Sequence, residues 1–209
     1  YAASVGKSTD EAAADFQRLQ ASQDAVFANA ENAYRTAGMS ANKYMETVTG
    51  FSASLISSLD GDTAAAAQVA DRAILDMADN ANKMGTNIGD IQNAYQGFAK
   101  QNYTMLDNLK LGYGGTQEEM QRLIKDASQM TDIQSELGVT VDASSMSFAN
   151  CVNAISVMQK KMDITGTTAK EASETIVGSV NMMKASWENW LAALGRDDDQ
   201  RRFQFFCRF

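Results

Sequence analysis

Glu118 and Glu119 are the first residues to weigh for chemistry, because adjacent carboxylates invite comparison with the acid and base of glycoside cleavage. Their setting favours a simpler role. Thr116 stands three residues before Glu119, the S/T-x-x-E spacing of a capping box, and acidic groups in a first helical turn are favoured by the helix dipole. Upstream, the turn Gly112-Tyr113-Gly114-Gly115 resembles a phosphate loop in its glycines but lacks the Gly-Lys-Ser/Thr ending that would grip a phosphate. Asp60-Gly61-Asp62 hints at a calcium loop, yet the alternating ligands and the closing Glu are missing, so a helix stop followed by a cap explains it better. Trp187 and Trp190 could stack a ligand, but their helical spacing suits packing. Asp197, Asp198 and Asp199 read as a solvated charge run.

The chain contains no His, which removes His-based triads and the commonest transition-metal ligand. Its two cysteines, Cys151 and Cys207, are too few for a four-cysteine zinc site. Cys151 falls on an apolar helical face, as a buried free thiol would, and no disulfide framework is indicated. The residues therefore predict no catalytic, cofactor-binding or metal site.

The elements that would position any of these groups are helices. With 209 residues, no Pro and 14 Gly, the chain permits long helices and leaves glycine as the main punctuation. Ala12, Phe16, Leu19, Val26, Ala30 and Tyr34 form a first stripe behind a capping box at Ser8 and Glu11. Tyr44, Val48, Phe51, Leu55 and Leu59 form a second, ending at Asp60-Gly61. Asp62 or Thr63 caps a third helix carrying Ala66, Ala70, Ala73, Met77, Ala81 and Met84. A shorter helix with Ile91, Tyr95 and Phe98 follows the glycines at 85 and 89. After the glycine turn, Met120, Leu123, Ala127, Met130 and Leu137 continue the pattern up to Gly138.

Val139-Thr140-Val141 is too short for a strand and reads as a connector. Phe148, Val152, Ile155 and Met162 make another stripe. The last helix opens on a capping box at Thr168 and Glu171 and carries Ile176, Val180, Met183, Trp187, Trp190 and Leu194, a seam suited to a partner helix. The expected fold is all-α: Gly-punctuated amphipathic helices packed as antiparallel hairpins or an elongated bundle, without a sheet. Ala- and Met-rich faces predict a plastic core, because Met specifies geometry poorly.

A net charge of −8, with scattered Lys and Arg, argues against a phosphate-binding surface. No apolar run of ~18 residues spans a membrane. Cysteine usage leans toward a reducing cytoplasm. The chain begins at Tyr1, which fits a piece of a longer product. Residues 1–195 read as one helical region. Residues 196–209 depart from it, with Phe203, Phe205, Phe206 and Phe209 following no helical stripe. A shifted or truncated reading frame accounts for that tail better than a functional aromatic anchor.

Three stretches carry a family resemblance: GMSANKYMETVTGFSASLISSLDGD at Gly38 to Asp62, YQGFAKQNYTMLDNLKLGYGGTQEEMQRL at Tyr95 to Leu123, and GTTAKEASETIVGSVNMMKASWENWL at Gly166 to Leu191. They resemble the core region of phage tail tape measure proteins. The resemblance implies a structural protein of a phage or prophage tail, acting in tail assembly and length determination and in genome delivery on infection. It further implies the tail tube protein, tail assembly chaperones and copies of itself as partners, with no specific nucleic-acid binding. Its implied place is the tail tube lumen of the virion, after assembly in the bacterial cytoplasm. It transfers no catalytic residue and no cofactor. Two other classes compete: a generic helical interaction module, which the recurring glycines separate from a long coiled coil, and a tail-associated lytic enzyme, which the missing His disfavours.

Overall fold

The structure is a computed structural model, and it describes residues 8–174 and 180–193. These residues are helical or irregular, with no strand among them, so the all-α expectation holds. The helices are α1 (Thr9–Thr36), α2 (Ala41–Thr49), α3 (Ser52–Ser58), α4 (Thr63–Met84), α5 (Ile88–Phe98), a short 3-10 helix (Leu106–Leu109), α6 (Gln117–Ser128), α7 (Thr131–Leu137), α8 (Phe148–Lys161) and α9 (Thr167–Glu174). Residues 180–193 are also helical.

Helix α4 is the centre of the molecule. It packs against α1, α2, α3, α5, α8 and α9, and the five consecutive residues Asp76 to Asn80 are all buried. A helix buried on every side normally reads as apolar all round. This one instead uses alanines (Ala66, Ala70, Ala73, Ala78) that let its neighbours approach closely, and carries Asp76, Asp79 and Asn80 inside. Helices α1 and α8 run in the same direction as α4. Ser22 bonds Thr63, while the end of α1 at Ala37 shares a cavity with Ala78. Arg72 bonds Asn153, and Asp76 bonds Ser156 one turn on. The return paths are helical too, through α2–α3 and α5–α7.

Local signals set most ends. Ser8 and Glu11 form the reciprocal capping box at α1. Asp62 caps α4 by accepting the Ala64 and Ala65 N–H groups, both at 3.0 Å. Gly138 ends α7 with φ 62°, a left-handed conformation that glycine adopts without a Cβ clash. Val139 to Val141 is a connector, its buried end held by the Val141 N–H donating to Gln134 at 2.9 Å.

Tertiary contacts overrode periodicity in three places. The second stripe is two helices, because Phe51 (φ −140°) leaves the helical path and packs edge-on against Phe148 at 5.8 Å. The stretch after the glycine turn is likewise broken, between α6 and α7. Gln134 holds that break by donating to the Ala127 and Ser128 carbonyls, both at 3.0 Å. Finally, the first stripe of α1 buries Ala12 and Ala30 but leaves Phe16 and Leu19 exposed.

Candidate functional site

The glycine turn is built as a closed structural unit. Glu119 accepts the Gly114 N–H at 3.0 Å, and Thr116 accepts the Glu119 N–H at 3.2 Å. Only the Thr half of the expected capping box forms, since Glu119 reaches Gly114 and not the Thr116 backbone. A carboxylate thus occupies the position a bound anion would need. Arg122 completes the unit: it pairs with Glu119 at 2.5 Å, donates to the Gly112 carbonyl at 3.1 Å and stacks over Tyr113 at 4.6 Å. Tyr113 in turn donates to Asp126 at 2.7 Å. Gly115 passes so close to Thr104 that a Cβ would lie 2.9 Å from its carbonyl carbon and nearer still to its oxygen.

That geometry bears on the acid-pair reading. A general acid needs a carboxyl whose pKa is raised. Here the Arg122 guanidinium, followed by the Gly114 N–H, holds the Glu119 carboxyl below the usual carboxylate range. Glu118 is exposed. Asp62 spends its carboxylate on the α4 cap, and no cluster of three or more metal-ligating side chains exists among the described residues. Asp197, Asp198, Asp199 and Cys207 lie outside the described residues, as do Ile176, Leu194 and the aromatic tail.

Cys151 is fully buried, and burial pushes its thiol up to about 12. In a Cys207→Ser background, Cys151 should react with a thiol reagent at pH 8 only as fast as the chain unfolds, because the thiolate is the nucleophile. Rapid stoichiometric labelling of the folded chain would contradict this placement.

Two further regions stand out. The helix over residues 180–193 turns its predicted seam away from the body of the protein. Its small and polar residues face the body of the protein, with Ala185 buried and Asn189 accepting the Ala41 N–H at 2.8 Å. Met183 (65%), Trp187 (58%), Trp190 (50%) and Leu191 (49%) are exposed. The two indole centroids lie 4.7 Å apart, so among the described residues the predicted seam is a surface.

The second region is the buried polar face of α4, which sequence reading missed. Asp79 accepts the Gly166 N–H at 2.6 Å and the Thr168 N–H at 2.8 Å, while its carbonyl accepts the Thr167 hydroxyl at 3.2 Å. Asp79 therefore caps α9 from a different helix, replacing the local Thr168–Glu171 box. Glu171 instead accepts from Asn82. Asp76 accepts the Ser156 hydroxyl, and Tyr95 Oη beside it is buried without a protein hydrogen-bond partner.

No protein-family model, curated protein or solved structure matches this chain. No described helix is long and apolar enough to cross a membrane.

Proposed function

We propose that this chain is a structural, non-catalytic segment of a phage or prophage tail tape measure protein, acting in tail assembly and length determination. The observation that carries the reading is where the resembling wording falls. Tyr95, Phe98, Tyr103, Leu106, Leu109, Leu111, Tyr113, Met120 and Leu123 all lie in the Tyr95–Leu123 stretch, and all are buried. That stretch thus forms part of a packed helical scaffold, which supports a structural role. The other two stretches supply α2–α3 and α9, which pack on α4.

A helix rises 1.5 Å per residue, so the 209 residues fully extended as helix would span about 310 Å. The folded chain is far shorter, α1 itself reaching only about 42 Å by the same rule. On this proposal the folded form exists before assembly. The chain extends when tail tube subunits polymerise around it, with assembly chaperones and further copies as partners, and it ends in the tube lumen. Genome delivery on infection is a second role of the same segment.

Peptide mass spectrometry of purified tails from particles produced by the encoding genome tests the reading. Peptides from Tyr95–Leu123 should be present at tape-measure stoichiometry. Purified tails without them would remove the proposal. The exposed Met183, Trp187, Trp190 and Leu191 favour a second reading, a helical protein-interaction module with no ruler role. Recovery of the chain in a stable complex with non-tail proteins would support that one.

A further inference from the structure

Helix α1 leaves an apolar stripe exposed along its length. Phe16, Gln20, Gln23 and Phe27 recur at steps of four, three and four, and Tyr34 follows one heptad on. Phe16 is 64% exposed, Phe27 46% and Leu19, at the edge of the stripe, 43%. We propose that this stripe is a docking track for a basic amphipathic helix of a partner protein. The inference goes beyond the ruler reading and stands without it.

The opposite face of α1 is fixed in the body of the protein. Ala30 and Ala33 are buried, and Ser22 bonds Thr63 at the start of α4. The two helices run in the same direction, so residues 9–21 extend about 20 Å beyond the start of α4 by helical rise. That overhang is why Phe16 and Leu19 meet solvent. The Ser8–Glu11 capping box holds the first turn helical, where so lightly packed a segment is otherwise marginal. The track is therefore formed before a partner arrives, and little ordering entropy opposes docking.

Charge selects the occupant. Between Asp10 and Glu31, α1 carries five carboxylates and one cation, Arg18, which pairs with Asp15. Asp24 and Glu31 are exposed, seven residues apart on one edge of the stripe, and among the described residues no ion pair neutralises them. The other edge opens, beside Leu19, into a groove shared with Asp15, Asp60 and Asp62. At the Tyr34 end, α2 and the helix over residues 180–193 border the track with the neutral Asn42, Met45, Ser186 and Asn189. Arg35 lies over the Tyr34 ring at 5.1 Å, and Lys43 of α2 pairs with Glu46.

Acidic edges along an apolar stripe match a helix whose apolar seam is flanked by Lys or Arg. That is the helix-in-groove mode of recognition, with complementary charge at the rim. A second copy of α1 brings the same carboxylates and is repelled.

Fluorescence anisotropy with a labelled three-heptad peptide tests the track. The peptide carries Leu at a and d and Lys at e and g, and a control peptide carries Glu in place of Lys. The intact chain should bind the Lys peptide at least about tenfold more tightly at low salt, with the gap narrowing as salt rises. Phe16→Ala/Phe27→Ala should weaken the Lys peptide by about tenfold or more without altering charge. Asp24→Asn/Glu31→Gln should weaken it by about threefold or more. Glu118→Gln/Asp132→Asn, the same charge change on α6 and α7, should leave it unchanged. All six positions are exposed, so each variant keeps the fold.

Equal binding of the two peptides, or none, overturns the proposal. So does insensitivity to Phe16→Ala/Phe27→Ala. An equal loss in the α6–α7 control marks attraction to net charge alone and overturns it too. Self-association of the chain that Phe16→Ala/Phe27→Ala abolishes would give the stripe to a second copy instead. If the peptide binds only after removal of residues 201–209, with their three arginines and four phenylalanines, the chain's own tail is the occupant and the partner assignment fails.

Discussion

Gly115→Ala is expected to destabilise the chain by more than about 3 kcal/mol, the upper end of ordinary overpacking, and to loosen the turn that joins the 3-10 helix to α6. The reason is backbone against backbone. An alanine Cβ at this position would sit far inside the van der Waals contact distance of the Thr104 carbonyl oxygen, and the clashing atoms are backbone, so no side chain can move aside to relieve them. The turn cannot retreat, because Glu119 holds Gly114 and Arg122 holds Gly112. Denaturant unfolding of the variant beside Gly114→Ala checks the claim. A Cβ at Gly114 would meet only the Glu119 side chain at 3.6 Å, an ordinary contact. Equal stability of the two variants would contradict the geometry.

Phe98→Ala should cost about 3–5 kcal/mol, the range for emptying a buried aromatic site. Phe98 is 1% exposed and sits between Tyr95, at 5.7 Å between ring centroids, and Tyr103, at 6.0 Å. Both neighbours come from the same signature stretch, and neither can follow the lost ring. Tyr95 is fixed in α5, while Tyr103 starts the segment that leads into the 3-10 helix. Against a typical total stability of about 5–15 kcal/mol, this loss would unfold a large fraction of molecules at 37 °C. A near-wild-type melting midpoint would show that the stretch is not the structural centre proposed for it. Phe98→Leu, which keeps most of the volume, should recover much of the stability.

Much of this fold was legible because its signals are local. The caps at Ser8, Asp62 and Thr116 depend on atoms within three residues, and so does the stop at Gly138. The buried state of Cys151 was also readable, from its apolar helical face. What escaped the sequence depends on distant partners. The break at Phe51 is decided by Phe148, nearly a hundred positions away, and the break after α6 by the buried amide of Gln134. Asp76 and Asp79 gave no local signal of burial, because an isolated carboxylate on an Ala-rich helix ordinarily faces water. Only the arrival of Ser156, Gly166 and Thr168 gives them partners. The Thr168–Glu171 spacing was a true local signal that lost to the better-placed cap from α4.

The candidate chemistry divides in the same way. The sequence correctly read the glycine turn and Asp62 as helix punctuation, and their hydrogen bonds are those of caps and turns. Periodicity identified the Trp187–Trp190 face but could not say which side of the helix meets the body of the protein. Ala185 and Asn189 settle that, leaving the aromatic side outward. An outward apolar seam is compatible with a protein that completes its packing in an assembly, which is how a tail component would use it.

The most direct test of the ruler role is tail length, measured by electron microscopy after an in-frame deletion and an in-frame duplication of residues 8–193 in the encoding genome. The proposal predicts tails shorter and longer, respectively, by about 280 Å, the helical rise of the residues removed or added. Tails of unchanged length in the viable variant would contradict a length-setting role and leave this chain as a folded interaction module.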